Sequence, residues 1–266
     1  MGFLSRFAPG LAARIAADLF MRPVKARPRP RELGWTEDAE PVILPSRHGD
    51  LSGWSWGVGP TVILLHGWNG RGSQMGLLAR TIAARGFRAV AYDGPAHGRS
   101  PGRRTNLIKH SAALVDVAAG TTDLHGIVGH SFGALAISFR WAELPALEKL
   151  VMVSPPAGMK IYSRMFIEAV GANDRVHGAM LEIYRRRFGI VWDDLTVENL
   201  APQLEAPLLV VHDPTDSQAP FTHGERTCDA WPDARLHETE RLGHMRILRN
   251  DGVAGVIADF LSGDSA

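Results

Sequence analysis

The strongest sign of chemistry in the sequence is the G-x-S-x-G pattern of residues 129–133. It lies between a strand-like apolar run at 124–128 and a helix-like run at 134–141. A sharp turn from strand to helix forces the central side chain into a strained, exposed position, and the flanking glycines let the backbones approach without a Cβ clash. The amide of Phe132 would then lie at a helix N-terminus, where it can donate to a developing oxyanion. The pattern predicts Ser131 as a nucleophile.

A serine nucleophile needs a base, because its hydroxyl is almost wholly protonated at neutral pH. The predicted base is His244, which comes just before a helix-like tail. A free imidazole, with an ordinary pKa near ~6.5, can both accept and return a proton. An acidic side chain must orient the ring and stabilise the imidazolium. Asp213 and Asp216 both follow the apolar run 208–211 and are the two candidates.

The elements that must position these side chains alternate between strand and helix, which predicts a mostly parallel sheet covered on both faces. The first two strands are joined by a short turn and are predicted to pair antiparallel at an edge. The predicted strands are 41–46, 52–57, 61–65, 88–92, 124–128, 149–153, 207–212 and 235–239, and the predicted helices are 73–85, 106–118, 132–142, 221–229 and 246–261.

The order of nucleophile, acid and histidine resembles that of the α/β-hydrolase fold family over roughly residues 40–262. The run His66-Gly67-Trp68 after a strand and the loop at 92–100 resemble the same family. The resemblance implies an α/β fold, with a mostly parallel eight-stranded sheet, helices on both faces and a helical cap. The implied core comprises residues 36–154 and 204–266, and the implied cap is the amphipathic segment 155–203.

The resemblance also assigns roles. The family pattern after the strand runs His-Gly-x-x-Asp-x-x-Val-Pro, which favours Asp216 as the acid and puts Asp213 where glycine is usual. Asp213 is therefore expected to serve the turn with left-handed geometry. The implied oxyanion donors are the amides of Trp68 and Phe132. No cofactor is implied. The implied catalytic residues are Ser131, Asp216 and His244.

These residues predict a serine hydrolase of the carboxylesterase type that acts on a small-molecule acyl substrate. Thioesterase, amidase, carbon–carbon hydrolase, perhydrolase and acyltransferase chemistries use the same residues and remain open, as does a non-catalytic ligand-binding role. Serine at position 131 argues against haloalkane dehalogenases and epoxide hydrolases, which use a carboxylate nucleophile. The sequence does not identify the substrate or the oligomeric state.

Composition excludes several other classes of protein. The 266 residues fit one α/β domain with an inserted cap. Cys228 is the single cysteine, which excludes an internal disulfide and a cysteine-based metal site. The histidines outside the site have no ligand-like spacing, so no metal is predicted. No phosphate-binding glycine motif and no nucleic-acid motif is present, so neither nucleotide nor nucleic acid is an expected partner.

The N-terminal segment 1–35 carries seven basic and two acidic side chains, a net charge of +5 in a chain of net charge +1. Pro9 is predicted to begin a helix that runs to about Met21. We expect its apolar stripe to dock on the main domain, followed by an extended, non-globular segment at 22–31. The alternative is peripheral membrane contact through residues 1–31, with the basic segment drawn to anionic lipid at the inner membrane surface. The apolar stripe of the helix consists of Phe7, Leu11, Ile15 and Leu19.

The absence of a signal-peptide pattern predicts a cytoplasmic protein.

Overall fold

One eight-stranded sheet forms the centre of the molecule in a computed structural model, which describes residues 2–200 and 206–263. Its strands stand in the order β1-β2-β4-β3-β5-β6-β7-β8. β1 pairs antiparallel with β2, and β2 with β4, whereas all the other pairs are parallel. This confirms the predicted mostly parallel α/β sheet and its antiparallel edge. The strands are β1 Glu40–Leu44, β2 Leu51–Trp56, β3 Thr61–Leu65, β4 Arg88–Tyr92, β5 Leu124–His130, β6 Lys149–Val153, β7 Leu208–His212 and β8 Ala234–Glu238.

Both faces of the central strands are buried, and β3 shows why the apolar run at 61–65 is unbroken. Its side chains point alternately to the two faces, as in any strand. Ile63 and Leu65 belong to one apolar core, and Val62 and Leu64 to the other. A central parallel strand therefore needs apolar residues at consecutive positions.

Helices cover both faces of the sheet, and the five predicted helices are all present with shifted ends. The predicted helix 73–85 begins as a 3-10 turn at Gly72–Met75. The tail helix begins later than predicted, because Asn250 caps it by accepting from the amide of Val253. None of the helices within the described residues has the length and apolar character to cross a membrane. They are α1 Gly2–Phe7, α2 Pro9–Phe20, α3 Pro30–Gly34, α4 Gly76–Ala83, α5 Leu107–Ala119, α6 Phe132–Arg140, α7 Lys160–Ala169, α8 Asp174–Phe188, α9 Val197–Leu200, α10 Thr222–Ala230, α11 Gly243–Arg246 and α12 Asp251–Ser262.

The predicted cap segment contains α7, α8 and α9. A β-bridge between Gly158 and Thr196 joins its two ends. Residues 201–203 of the predicted cap lie outside the described residues, as do positions 1, 204–205 and 264–266 of the other predicted segments.

The prediction that the apolar stripe of the N-terminal helix docks on the domain is wrong. The stripe residues are 37–72% exposed, and the opposite, alanine-rich face of α2 packs on α8 instead. Small side chains let two helix axes approach closely, so the alanines make the better contact surface. The hydroxyl of Tyr184 also donates to the carbonyl of Ala17 across this contact, at 3.3 Å. The buried alanines are Ala12, Ala13, Ala16 and Ala17, and the exposed residues are Phe7, Leu11, Ile15 and Leu19.

The segment 22–31 has no regular structure before α3 and is almost wholly exposed, as predicted, but polar contacts hold it to the rest of the chain. The amide of Val24 donates to the side chain of Asn69 at 2.7 Å. Just beyond the segment, the fully buried Glu32 forms a bidentate pair with Arg71, at 2.7 and 3.0 Å. The N-terminal segment is thus fastened to the core by specific polar contacts.

Replacing Arg71 with methionine is expected to lower the free energy of unfolding by about 3–5 kcal/mol, because it leaves the Glu32 carboxylate buried without its partner. The double variant Glu32→Leu/Arg71→Met removes both charges and should lose much less. Urea unfolding followed by circular dichroism measures both values. A loss below about 1 kcal/mol for the single variant would mean that the pair behaves like a surface salt bridge.

Candidate active site

Ser131 occupies the strained turn between β5 and α6 at the carboxyl edge of the sheet. Its φ of 53° and ψ of −117° lie in a region that non-glycine residues rarely adopt. Its amide donates to the carbonyl of Val153 on β6 at 2.9 Å, so sheet pairing holds the turn in place. Backbone strain of this kind costs about 1–3 kcal/mol and persists where the surrounding structure enforces it.

The two glycines of the pattern are required by close packing. A Cβ atom at Gly129 would lie 2.6 Å from Ile137 Cδ1, and one at Gly133 would lie 2.7 Å from the carbonyl oxygen of Leu65. Helix α6 therefore passes so close to the strands that only hydrogen fits at both positions. As a result, Phe132 is the first residue of α6, and its amide has no partner within the helix.

The structure brings two of the other predicted residues together. Nδ1 of His244 lies 2.7 Å from Oδ2 of Asp216, and both side chains are buried. His244 is in α11, after β8, and Asp216 is in the loop after β7. The ring nitrogen therefore donates to the carboxylate, which leaves Nε2 as the other proton-exchanging atom.

Asp216 is held as a carboxylate. Burial alone would raise its pKa, but contacts to the imidazoles of His212 and His244, and hydrogen bonds from backbone amides, outweigh this and keep the pKa well below the ordinary range. The amides of Gln218 and Ala219 donate to Oδ1 at 2.8 and 2.9 Å. Nε2 of His212 lies 3.6 Å from Oδ2.

Asp213, the rival acid, has a different set of partners. It accepts from the amide and hydroxyl of Thr215, from the hydroxyl of Thr239 and from the amide of Leu242. Burial opposes ionisation, but these donors hold the pKa of Asp213 below its usual range. Asp213 is not among the positive-φ residues, so the expected left-handed geometry is wrong. Its carboxylate instead anchors the segment that leads from β8 to His244.

The loop after β3 passes close to Ser131. A Cβ atom at Gly67 would lie 3.0 Å from the Cβ of Ser131, which puts the following residue, Trp68, beside the strained turn. His66 fastens this loop: Nδ1 donates to the carbonyl of Gly67 at 2.7 Å, and Nε2 accepts from the amide of Gly94 at 2.9 Å. The indole of Trp68 packs edge-on against the ring of Phe132 at 5.1 Å.

His130, the last residue of β5, lies beside the predicted base. Its ring centroid lies 4.7 Å from that of His244, and Nε2 donates to the His244 carbonyl at 3.0 Å. Burial, with a smaller contribution from the neighbouring imidazole, lowers the pKa of His130 to about 3. The neutral ring therefore ties β5 to the segment that carries His244.

The comparisons with known proteins agree with this architecture. A model of the alpha/beta hydrolase family matches residues 62–256, most of the chain. This chain belongs to that family. Epoxide hydrolase B of Mycobacterium tuberculosis is 32% identical over 104 residues, which span 37% of this chain and only 29% of that protein.

Solved structures resemble the α/β-hydrolase fold of this chain over most of its length. An esterase of Pyrococcus furiosus superposes with a TM-score of 0.69 at 20% identity, covering 91% of this chain and 97% of the other. An esterase of Exiguobacterium antarcticum superposes with a TM-score of 0.67 at 16% identity, covering 84% and 99%. At these identities the likeness establishes the shared fold.

A cavity of about 560 Å³ opens between the sheet edge that carries Ser131 and the helices of the predicted cap segment in this α/β-hydrolase. Ser131, His244, Trp68 and Phe132 all line it, whereas Asp216 lies behind His244. Within the described residues, no hydrogen bond joins the Ser131 hydroxyl to the imidazole of His244. The volume of the cavity is ordinary for a small-molecule site. The aromatic lining comes mainly from outside the predicted site, at Phe20, Tyr162, Phe166, Tyr184 and Trp192.

The contribution of the N-terminal segment to this cavity was not predicted. Phe20 lies at the centre of the aromatic lining, with its ring centroid 5.0 Å from Phe166 and 6.0 Å from both Tyr184 and Trp192. Leu19, Arg22 and Val24 line the cavity as well. The only sequence signal was a large aromatic residue at the end of a predicted helix, which does not reveal its partners.

Proposed function

We propose that this chain is a serine hydrolase that cleaves a carboxylic ester through an acyl-enzyme on Ser131. One observation carries the proposal: a serine in a strained turn at a helix N-terminus shares a cavity with a histidine whose far nitrogen is bonded to a buried carboxylate. This is the geometry by which a nucleophile, a base and an orienting acid act together. The roles of Ser131, His244 and Asp216 are part of the proposal.

In the proposed first half-reaction, Oγ of Ser131 attacks the substrate carbonyl carbon while Nε2 of His244 takes the hydroxyl proton. Asp216 stabilises the imidazolium that results. The carbonyl oxygen becomes an oxyanion and accepts from the amides of Trp68 and Phe132. The intermediate then collapses, and the imidazolium gives its proton to the departing alcohol.

In the second half-reaction, a water molecule gives a proton to His244 and attacks the acyl carbon. Collapse of the second tetrahedral intermediate releases the acid and returns the proton to Ser131. The aromatic lining of the cavity, centred on Phe20 and Phe166, favours an apolar acyl or aryl group in the substrate. Exclusion of bulk water there would strengthen the interactions with the oxyanion.

The similarity to an epoxide hydrolase does not change the proposed class. The nucleophile position in this chain holds an alcohol, and the carboxylate of Asp216 is directed at an imidazole. Opening an epoxide by covalent catalysis would need a carboxylate at position 131. The observed residues suit transfer of an acyl group.

The proposal is tested with p-nitrophenyl esters of increasing acyl length, the matching thioesters and the matching anilides. We expect turnover of the esters, with kcat/KM rising as the acyl chain fills the apolar cavity. Faster turnover of the thioesters or anilides would change the proposed leaving group from an alcohol to a thiol or an amine, while Ser131 would remain the proposed nucleophile. No turnover of any of the three, together with no labelling by a fluorophosphonate probe, would reject the proposal.

The acidic limb of the pH profile is expected to reflect one ionisation. A general base must be unprotonated to act, so kcat/KM should fall as the pH decreases, with a slope of one in a logarithmic plot when a single group takes up the proton. The lowered pKa of Asp216 keeps its carboxylate ionised as the pH falls, so this group should not add a second proton. Initial rates measured from about pH 8 to pH 5 test this, with a thermal melt at each pH as the control for folding. A flat profile, or a slope of two, would contradict the assigned roles.

A further inference from the structure

The exposed face of α2 is an apolar stripe that no described part of the chain covers. Leu11, Ile15 and Leu19 follow one another at intervals of four residues, so they share one side of the helix. The opposite side is packed on α8, which fixes the stripe outwards. Val24 extends the apolar surface beyond the end of the helix and is 65% exposed.

This stripe leads to the mouth of the cavity. Leu19 and Val24 are both exposed at the surface and part of the cavity lining. The cap helix α7 has the same character, because Ile161 and Met165 are exposed while the adjacent Phe166 lines the cavity. Exposed apolar side chains of α2 and α7 therefore lie beside the cavity.

Basic side chains follow this surface directly along the chain. Residues 22–31 carry five basic side chains and no acidic one. Asp18 is the one acidic residue of α2, and it is paired with Arg22 and with Arg104 from the loop before α5. The contacts with Arg104 and Arg22 lower the pKa of Asp18, although partial desolvation opposes them, so its charge is offset by two arginines. The basic residues are Arg22, Lys25, Arg27, Arg29 and Arg31.

We propose that this surface, the stripe of α2 with Val24 and the basic segment 22–31, docks on an anionic phospholipid membrane. An amphipathic helix in the plane of the membrane buries its apolar face among the acyl chains, and neighbouring basic residues bind the headgroups. A second copy of this chain is a poorer occupant, because a two-fold interface would bring the same five basic side chains against each other.

The docked orientation turns the cavity mouth towards the lipid. An ester dissolved in the membrane would then reach Ser131 without passing through bulk water. This consequence for the substrate rests on the proposed esterase function, whereas docking itself depends only on α2 and the basic segment.

Docking is tested by co-sedimentation of the full chain with vesicles of phosphatidylcholine alone and of phosphatidylcholine mixed with phosphatidylglycerol. We expect binding to the mixed vesicles only, weakened by added salt. The variants Leu11→Ser/Ile15→Ser and Arg27→Ser/Arg29→Ser should each reduce the partition coefficient about tenfold or more. The control is Ile43→Ser/Val58→Ser, which removes exposed apolar residues outside this surface and should bind normally.

Two further measurements separate docking from catalysis and from self-association. The Ser131→Ala protein should bind vesicles as the parent does, and Leu11→Ser/Ile15→Ser should hydrolyse a water-soluble short-chain ester at the parent rate. Thermal melts establish that each variant folds. Absence of vesicle binding, equal binding by all variants, or light scattering that shows a dimer dissociated by the stripe substitutions would each overturn the proposal.

Discussion

Replacing Ser131 with alanine is expected to lower kcat/KM for a p-nitrophenyl ester by about 10⁴-fold or more. Without the hydroxyl no acyl-enzyme forms, and any remaining turnover must use water directly in the cavity. Covalent labelling by a fluorophosphonate probe should disappear at the same time. Initial rates and mass spectrometry of the labelled protein measure the two effects independently.

Ser154 offers a matched control within the same sheet. It directly follows β6 at the carboxyl edge, is fully buried and also has a positive φ, of 48°. It is not part of the cavity lining, and its hydroxyl has no partner in the described residues. Ser154→Ala should therefore keep the labelling and most of the activity. Labelling that survives in Ser131→Ala would reject the assignment of the nucleophile.

A glycine at position 131 is the second control, because it separates chemistry from fold. Glycine adopts a positive φ without the steric cost that serine bears there. Ser131→Gly should be as inactive as Ser131→Ala, yet it should raise the free energy of unfolding by about 1 kcal/mol. An inactive variant with raised stability excludes misfolding as the cause of the lost activity.

Much of the fold was predictable because its signals are local. The strands β3, β4 and β6 were predicted residue by residue, since each is a short apolar run between turn residues. The turn at Ser131 was predictable for the same reason, because two glycines and the change from strand to helix all lie within residues 124–141.

The remaining features depend on packing between distant segments. Periodicity showed which residues of α2 share a face, but not that the alanine face would pack on α8 and leave the larger residues exposed. The place of Phe20 in the cavity follows from that packing.

Asp216 is the second position where a large effect is expected. Asp216→Asn should lower kcat by about 10⁴-fold, because an amide can donate to Nδ1 of His244 and stabilise the wrong tautomer of the ring. The amide also carries no charge to stabilise the imidazolium. Rates at saturating ester, with KM measured in parallel, test this; we expect KM to change little, because the side chain lies behind His244 and not in the cavity lining.

Asp213→Asn is the matched comparison three residues away. Asp213 accepts hydrogen bonds from Thr215, Thr239 and Leu242 and does not contact the imidazole of His244. Replacing its carboxylate should therefore mainly lower the stability of the fold. We expect the free energy of unfolding to fall by about 1–3 kcal/mol, with a much smaller decrease in kcat than for Asp216→Asn. Sequence spacing alone left these two carboxylates as rivals. The family resemblance favoured Asp216, and the geometry agrees, because Asp216 contacts His244. If Asp213→Asn instead lost as much kcat as Asp216→Asn while remaining folded, the assignment of the acid would be wrong.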